Sequence, residues 1–298
     1  MEHFDIVVIG SGPGGYRAAI LAALAGKKVG IVEKAAWGGC CLNRGCVPKK
    51  AWHHTARLMD AVEQGAARGL VGTLRADLAT AWLHQQRIVD TVRENYISYL
   101  ERLGVIRLEG TGSLVDARTV AVRDAENGTQ TVTSDYVILA TGSTPKANSA
   151  LPETAGRIIS TDTLFEQPPP TGRRVAVVGG GVIGVEFAYI LQRFGFEISW
   201  FTGGPLLSRA GFSAQAMNVL RQSLHKHGIT SRMGRPKLKS VTDDGVLLAT
   251  ESEDVSRLSV AGTRSRTLYI VVGLGHHAGA HGREWIYTNQ WPAPNCLT

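Results

Sequence analysis

The chain has 298 residues, room for about two domains of ordinary size, and is 44% hydrophobic with a formal net charge of +7. That apolar content excludes global disorder, and no stretch reaches the ~18 uninterrupted apolar residues of a membrane helix. The charge has no basic run or aromatic-interleaved patch behind it, so nucleic acid is not an expected partner; it reads as solubility plus anionic cofactors.

The first residues, Met1-Glu2-His3-Phe4-Asp5, are acidic and do not read as a secretory leader, so a cytoplasmic protein is expected. Asp5-Ile6-Val7-Val8-Ile9 is a continuous apolar run, the pattern of a buried parallel strand. It enters Gly10-Ser11-Gly12-Pro13-Gly14-Gly15 and then an alanine- and leucine-rich stretch through Ala25 that predicts a helix. Glycine, at 35 of 298 residues, is well above the ~7% of average proteins, and here its spacing has a use. In G-x-G-x-x-G, Gly10 makes the tight turn, Gly12 lets backbone approach a pyrophosphate, and Gly15 lets helix pack on strand. The pyrophosphate then rests on the unpaired N–H groups of the helix start. A second apolar strand, Val29-Gly30-Ile31-Val32, leads to Glu33, 23 residues after Gly10. An acidic residue ~20 positions on is the partner expected for a ribose hydroxyl.

Helices are predicted over Pro48–Gly69 and Asp77–Leu103, the latter with apolar residues at Leu78, Trp82, Ile88, Val92, Tyr96 and Leu100. Short strands follow at Val105–Leu108, Val120–Arg123 and Tyr136–Leu139, the last running into Ala140-Thr141-Gly142-Ser143. Pro168-Pro169-Pro170-Thr171-Gly172 is a connector, since a proline triplet continues neither a helix nor a central strand. Beyond it the opening pattern returns. Arg174–Val178 leads into Gly179-Gly180-Gly181-Val182-Ile183-Gly184 and a helical stretch to Phe194. From Gly10 to Gly179 the offset is 169 residues, and Gly179, Gly181 and Gly184 repeat the fingerprint. The same offset carries Glu33 onto Thr202. The second site therefore lacks the carboxylate that favours NAD. It also lacks an arginine in the immediate loop, although Arg209 lies near, so NAD and NADP both remain open.

Three of the four cysteines lie in Gly38-Gly39-Cys40-Cys41-Leu42-Asn43-Arg44-Gly45-Cys46-Val47-Pro48-Lys49-Lys50. On an ideal helix Cys41 and Cys46 would have α-carbons about 8.6 Å apart, beyond the ~7 Å limit for a disulfide. A bridge needs an irregular turn, which Asn43, Gly45 and Pro48 permit. One reading is a reversible disulfide at a helix start, where the dipole favours a thiolate; the other is a set of free cysteines. No matching Cys or His pair stands at zinc-ligand spacing.

Taken with both fingerprints, Ala140-Thr141-Gly142 and Gly184-Val185-Glu186-Phe187-Ala188, this stretch resembles the class I pyridine nucleotide–disulfide oxidoreductases over roughly residues 4–250. Gly12-Pro13-Gly14-Gly15-Tyr16 with Ala18-Ala19-Ile20 is most similar to dihydrolipoamide dehydrogenase. Val47-Pro48-Lys49-Lys50 is closer to glutathione reductase. The resemblance implies an α/β protein with two Rossmann-like domains, FAD on the first and NAD or NADP on the second. It implies that Glu33 meets the adenosine ribose and that Gly112 and Thr141-Gly142-Ser143 contribute to the FAD site. Cys46 is then the thiol beside the flavin and Cys41 the interchange thiol facing the substrate. Lys50 sits near the flavin and pairs with Glu186, and Cys40 is a passenger. The implied activity moves two electrons between a nicotinamide nucleotide and a dithiol or disulfide. A lipoamide-like substrate, with the lipoyl domain of a 2-oxo acid dehydrogenase complex as its carrier, comes first, with glutathione or mercuric ion as the alternative. A further reading is a nucleotide-binding remnant without catalysis.

Members of that family continue into a C-terminal dimer-interface domain that carries a His–Glu acid–base pair. Neither is expected here, and we read the chain as a truncated or frame-shifted member without the family's homodimer interface. The expected division is an FAD-binding domain over 1–150, a nucleotide domain over 151–255 and an irregular tail over 256–298. His276, His277 and His281 in that tail match no recognised metal spacing, so no metal site is expected.

Overall fold

The computed structural model describes residues 1–124, 126, 128–143, 148–154, 157–169, 172, 174–242, 245–249 and 267–271. In chain order, β1 (Glu2–Ile9), α1 (Pro13–Leu24) and β2 (Val29–Glu33) form the first βαβ unit. A short α2 (Gly39–Asn43) and two long helices, α3 (Cys46–Gly65) and α4 (Leu78–Arg102), come before β3 (Ile106–Glu109), β4 (Thr111–Leu114), β5 (Thr119–Asp124) and β6 (Gly128–Leu139). These strands make one sheet in the order β3-β2-β1-β6-β5-β4, parallel across its first four strands and antiparallel beyond β6.

The second half begins with β7 (Ile158–Ser160), α5 (Thr161–Glu166), β8 (Arg174–Val178), α6 (Val182–Arg193) and β9 (Glu197–Thr202). It continues with α7 (Ala214–Lys226), β10 (Ser231–Met233), the hairpin β11 (Lys237–Thr242) and β12 (Gly245–Ala249), and β13 (Thr267–Val271). Its parallel sheet runs β10-β9-β8-β13-β7. Each half is thus a Rossmann-like α/β layer, as the two fingerprints imply.

The repeat holds at the level of single residue pairs. Ile6 pairs with Val29 and Ile9 with Val32; 169 residues on, Val175 pairs with Ile198 and Val178 with Phe201. The helices Pro13–Leu24 and Val182–Arg193 keep the same offset at both ends. Gly10 (φ 104°) and Gly179 (φ 133°) adopt positive φ and donate to Val32 O at 2.8 Å and to Phe201 O at 2.9 Å. A Cβ on Gly15 would stand 1.8 Å from Gly10 O, and one on Gly184 2.1 Å from Gly179 O. Only glycine allows the helix to start this close to its strand.

The central parallel strands carry apolar runs because both of their faces are covered. On the first sheet, Val7 and Ile9 pack with Val120, Val122 and Val132 of the antiparallel hairpin. Val8 and Ile31 face Ala19, Ile20 and Leu100 of the helices. The second sheet packs Val175, Val177 and Trp200 against Phe187 and Leu191 of α6, with Trp52 of α3 in the same cluster. Trp52 is 1% exposed, and its ring meets Phe165 at 4.9 Å and Phe194 at 5.8 Å. Arg193 of α6, itself buried, ion-pairs with Asp60 and Glu63 of α3 at 2.8 and 2.7 Å. The helix between the two fingerprints therefore belongs by packing to the second half. α4 spans both, with Leu78, Ala81 and Trp82 on the second core and Leu100 on the first.

One expectation is corrected and two features are added. β13 lies within the stretch taken for an irregular tail, between β8 and β7; Thr-Leu-Tyr-Ile-Val is a short apolar run of the kind a parallel strand takes. The buried face of α4 centres on Gln85, Val89 and Leu100, so Ile88 and Val92 flank that face rather than form it. Antiparallel β4 is a further element the apolar pattern did not reveal. His276, His277 and His281 fall outside the described residues. Among the described residues no helix is long and apolar enough to cross a membrane, and no cluster of three metal-ligating side chains occurs.

Removing the Trp52 side chain should destabilise the second half. Trp52→Ala is expected to cost about 3–5 kcal/mol, read from urea denaturation followed by far-UV circular dichroism. A loss under about 1 kcal/mol would show that α3 is not part of that core.

Candidate active site

β1 and β6 are neighbours in the first sheet while the chain order runs outward on both sides. Such a reversal opens a crevice at the strand ends. Ala140 N donates to Ile9 O at 2.8 Å, so Thr141-Gly142-Ser143 leave β6 beside the Gly10 turn. Gly112 of β4 completes this wall; a Cβ there would stand 3.0 Å from Ile9 Cγ2 and 3.1 Å from Val32 Cγ1. The crevice is part of a cleft of about 2030 Å³. Gly10, Gly12, Glu33, Gly112 and Thr141–Ser143 line one side of it, Cys41, Cys46 and Lys49 another, and Gly181 and Gly184 of the second fingerprint a third. Gly15 and Gly179 lie beneath the two turns, in the close contacts already given.

The first fingerprint fits a dinucleotide. The N-cap of α1, Gly12, has no side-chain cap, which leaves helix-start amides to an incoming anion. A Cβ on Gly14 would meet nothing within 4 Å, so space is open there. Glu33 stands at the end of β2 with its carboxylate fixed from both sides. Oε2 accepts from Ser11 N (2.9 Å) and Ser11 Oγ (2.6 Å), and Oε1 from Lys34 N (2.9 Å) and Ala35 N (3.0 Å). Ser11, which occupies a variable position of the fingerprint, orients this carboxylate and gave no signal in the motif.

The cysteines reach the cleft because α2 begins against the phosphate loop. A Cβ on Gly39 would lie 2.5 Å from Gly12 Cα. α2 ends at Asn43, Arg44 and Gly45 break the helix, and α3 restarts at Cys46. Gly45 is needed in this break, where a Cβ would stand 3.1 Å from Cys40 O and 3.3 Å from Cys41 Cα. Asn43 does more than permit a turn: its Nδ2 donates to Gly39 O (2.9 Å) and Trp37 O (3.0 Å), and its Oδ1 accepts from Arg93 Nε (3.0 Å). Arg44 ties the break to α5 through Glu166 at 2.7 Å and Asp162 at 3.8 Å. Cys40, Cys41 and Cys46 are free thiols here. Burial and then the hydrogen bond with Cys46 push the Cys41 thiol up to about 11. Burial and the nearby Asp162 also raise Cys40, against the pull of Arg44.

The lysine expectation is corrected. Lys49, not Lys50, forms the ion pair with Glu186, while Lys50 is exposed on α3. Successive helical residues diverge by about 100°, so only one of the adjacent lysines faces α6. Val47-Pro48-Lys49-Lys50 supplies both, and nothing in the motif tells them apart. One turn further along α3, burial lowers the His53 imidazole while Glu186 pulls it up. Thr202 ends β9 as the repeat requires and is 3% exposed. It sits outside the cleft wall.

The family model for pyridine nucleotide-disulphide oxidoreductases matches residues 4–282, past the limit at which the resemblance in the sequence fades. The chain is 32% identical over 248 residues to dihydrolipoyl dehydrogenase of Mycobacterium tuberculosis strain H37Rv, covering 82% of this chain and 52% of that protein. It is 34% identical over 268 residues to dihydrolipoyl dehydrogenase of Chlorobaculum tepidum, covering 89% and 55%. It thus spans about half the length of the curated relatives it matches. In fold it is similar to the HOCl-induced flavoprotein disulfide reductase RclA from Escherichia coli, solved as a Cu(II) complex. There the TM-score is 0.73 at 20% identity, over 92% of this chain and 57% of that one. With doubled fingerprints around one cleft and a family match along nearly its whole length, the chain belongs to the pyridine nucleotide-disulphide oxidoreductase family, whose members use FAD and NAD(P).

Proposed function

We propose that the chain passes two electrons between a nicotinamide nucleotide and a dithiol or disulfide, in the manner of a dihydrolipoyl dehydrogenase, through FAD and a Cys41–Cys46 pair. The observation that carries this reading is the shared cleft: the first fingerprint, the two cysteines and the start of the second fingerprint all line it. Gly10, Gly12, Glu33, Gly112 and Thr141–Ser143 would hold FAD; Gly179, Gly181, Gly184 and the end of β9 would hold the nicotinamide nucleotide. The domain division near 150 agrees with the change of sheet between Leu139 and Ile158. The electron donor would be a dihydrolipoyl-type dithiol, as the relatives' names suggest, with a lipoyl domain as its carrier.

In the dithiol-oxidising direction, a substrate thiolate attacks the Cys41 sulfur of the Cys41–Cys46 disulfide. The S–S bond breaks, and Cys46 leaves as a thiolate at the first position of α3, where the helix dipole favours negative charge. The second substrate thiolate then attacks the mixed disulfide, and the substrate departs as its own disulfide. Cys41 leaves as a thiolate and takes a proton, which its raised pKa holds. When bound, FAD would supply the two-electron chemistry that links this dithiol to the nicotinamide. Lys49 contributes a positive charge at the cleft wall, and Glu186 partners it there, since a half-buried cation needs a counter-charge.

Three measurements test these roles. The purified protein should show an oxidised-flavin spectrum. Anaerobic NADH or NADPH should bleach it and bring up a long-wavelength charge-transfer band, which Cys46→Ser abolishes. A colourless protein that takes up no added FAD would overturn the proposal, and a band surviving in Cys46→Ser would overturn the thiol assignment. In reduced protein the iodoacetamide alkylation of Cys41, mapped by mass spectrometry, should climb about tenfold per pH unit above pH 7 and level off only near 11; a plateau at pH 8–9 would contradict the raised Cys41 thiol. Lys49→Met should destabilise by about 1–3 kcal/mol by stranding Glu186, whereas Lys50→Met should stay within about 0.5 kcal/mol in the same urea titration. Equal effects would return the pair to ambiguity of position and refute the distinction drawn here.

A further inference from the structure

The two repeats share a backbone but differ in what fills the end of the second strand. In the first, the amides of Lys34 and Ala35 and both donors of Ser11 surround the Glu33 carboxylate, so a loop built to hold an anion holds one of its own. Adding 169 replaces Ser11, Glu33, Lys34 and Ala35 by Gly180, Thr202, Gly203 and Gly204. Thr202 is neutral and buried. A Cβ on Gly180 would stand 3.2 Å from Thr202 Cβ, so the threonine closes the space that the serine hydroxyl uses in the first repeat. Among the described residues, the amides of Gly203 and Gly204 have no hydrogen-bond partner.

A cation approaches this loop from another element. Arg235, in the turn after β10, lies across this loop, with Nε 3.0 Å and Cγ 3.4 Å from the position of a Cβ on Gly203. A side chain at 203 would crowd it. Arg235 is exposed, and among the described residues it has no acidic partner. Its Nε–H and terminal N–H groups form a planar fork suited to phosphate oxygens.

We propose that the second fingerprint selects a 2′-phosphorylated adenosine ribose, and hence NADP(H) over NAD(H). The Arg235 guanidinium and the Gly203 and Gly204 amides receive the 2′-phosphate in the place where the first repeat keeps its own carboxylate. A carboxylate at position 202 would repel that dianion and bind a ribose diol instead; Thr202 removes the repulsion. The selection rests on the reading of this fingerprint as the nicotinamide-nucleotide site.

Isothermal titration of the full chain with 2′,5′-ADP and with 5′-ADP, in saturating FAD to keep adenine out of the first site, tests it without recourse to turnover. 2′,5′-ADP should bind about 10- to 100-fold tighter than 5′-ADP, the range of charge-assisted hydrogen bonds. Arg235→Ala should bring 2′,5′-ADP down to the 5′-ADP level and leave 5′-ADP unchanged. Thr202→Glu should likewise weaken 2′,5′-ADP selectively. Equal affinities for the two probes, or discrimination that survives Arg235→Ala, would overturn the proposal while leaving the nucleotide site itself intact. Failure of both probes to bind, in protein that takes up FAD, would instead remove the second fingerprint as a nucleotide site and this selection with it.

Discussion

The seating of α3 on α6 governs the relation between the two halves of the molecule. Trp52 enters the aromatic cluster of the second sheet, Arg193 binds Asp60 and Glu63, and Lys49 meets Glu186 nearer the cleft. Apolar burial supplies most of the free energy of such a contact. The buried charges contribute less to stability than to choosing one register, because their desolvation offsets much of their attraction. Cys46 is the first residue of α3 and Gly181 caps α6. The register of those two helices therefore sets how far the thiols stand from the start of the second nucleotide loop.

The duplicated βαβ unit sets one backbone around two different strand ends. Strand pairing, helix limits and the glycine contacts at Gly15 and Gly184 coincide at a constant offset, because the fit of helix onto strand tolerates no Cβ. Difference is confined to side chains at the strand end, where Glu33 and Thr202 occupy the same position in opposite chemical character. Specificity can change at such a site without disturbing the packing, since the core on either side belongs to other residues.

The parts legible in the sequence were those with a strict local cause. The fingerprints and the first strand of each half follow from apolar runs and from glycine spacing that sterics impose. The helix break between Cys41 and Cys46 falls where Asn43 and Gly45 permit an irregular turn, and α4 begins within one residue of the predicted Asp77, which caps it. What escaped depends on tertiary neighbours. The choice of Lys49 over Lys50 rests on which side of α3 faces α6. The assignment of Trp52 to the second core needs the path of a helix across a sheet it does not border in sequence. The roles of Ser11, Asn43 and Arg235 lie in hydrogen bonds and approaches that no spacing encodes.

The place of β13 bears on how the chain is made. β8 and β7 flank it, so neither can complete its ladder until residues 267–271 have left the ribosome, 89 positions after Val178. At ordinary synthesis rates that delay is on the order of 5–20 s, during which two apolar strand edges stand open. The first sheet has a wait of the same kind, because β6, which pairs with β1, begins at Gly128, 119 positions after Ile9. An unpaired parallel edge invites foreign strands, and late non-local pairing is intrinsically slow. Each half thus passes through synthesis with an open parallel edge, and the second half is the last to close its own.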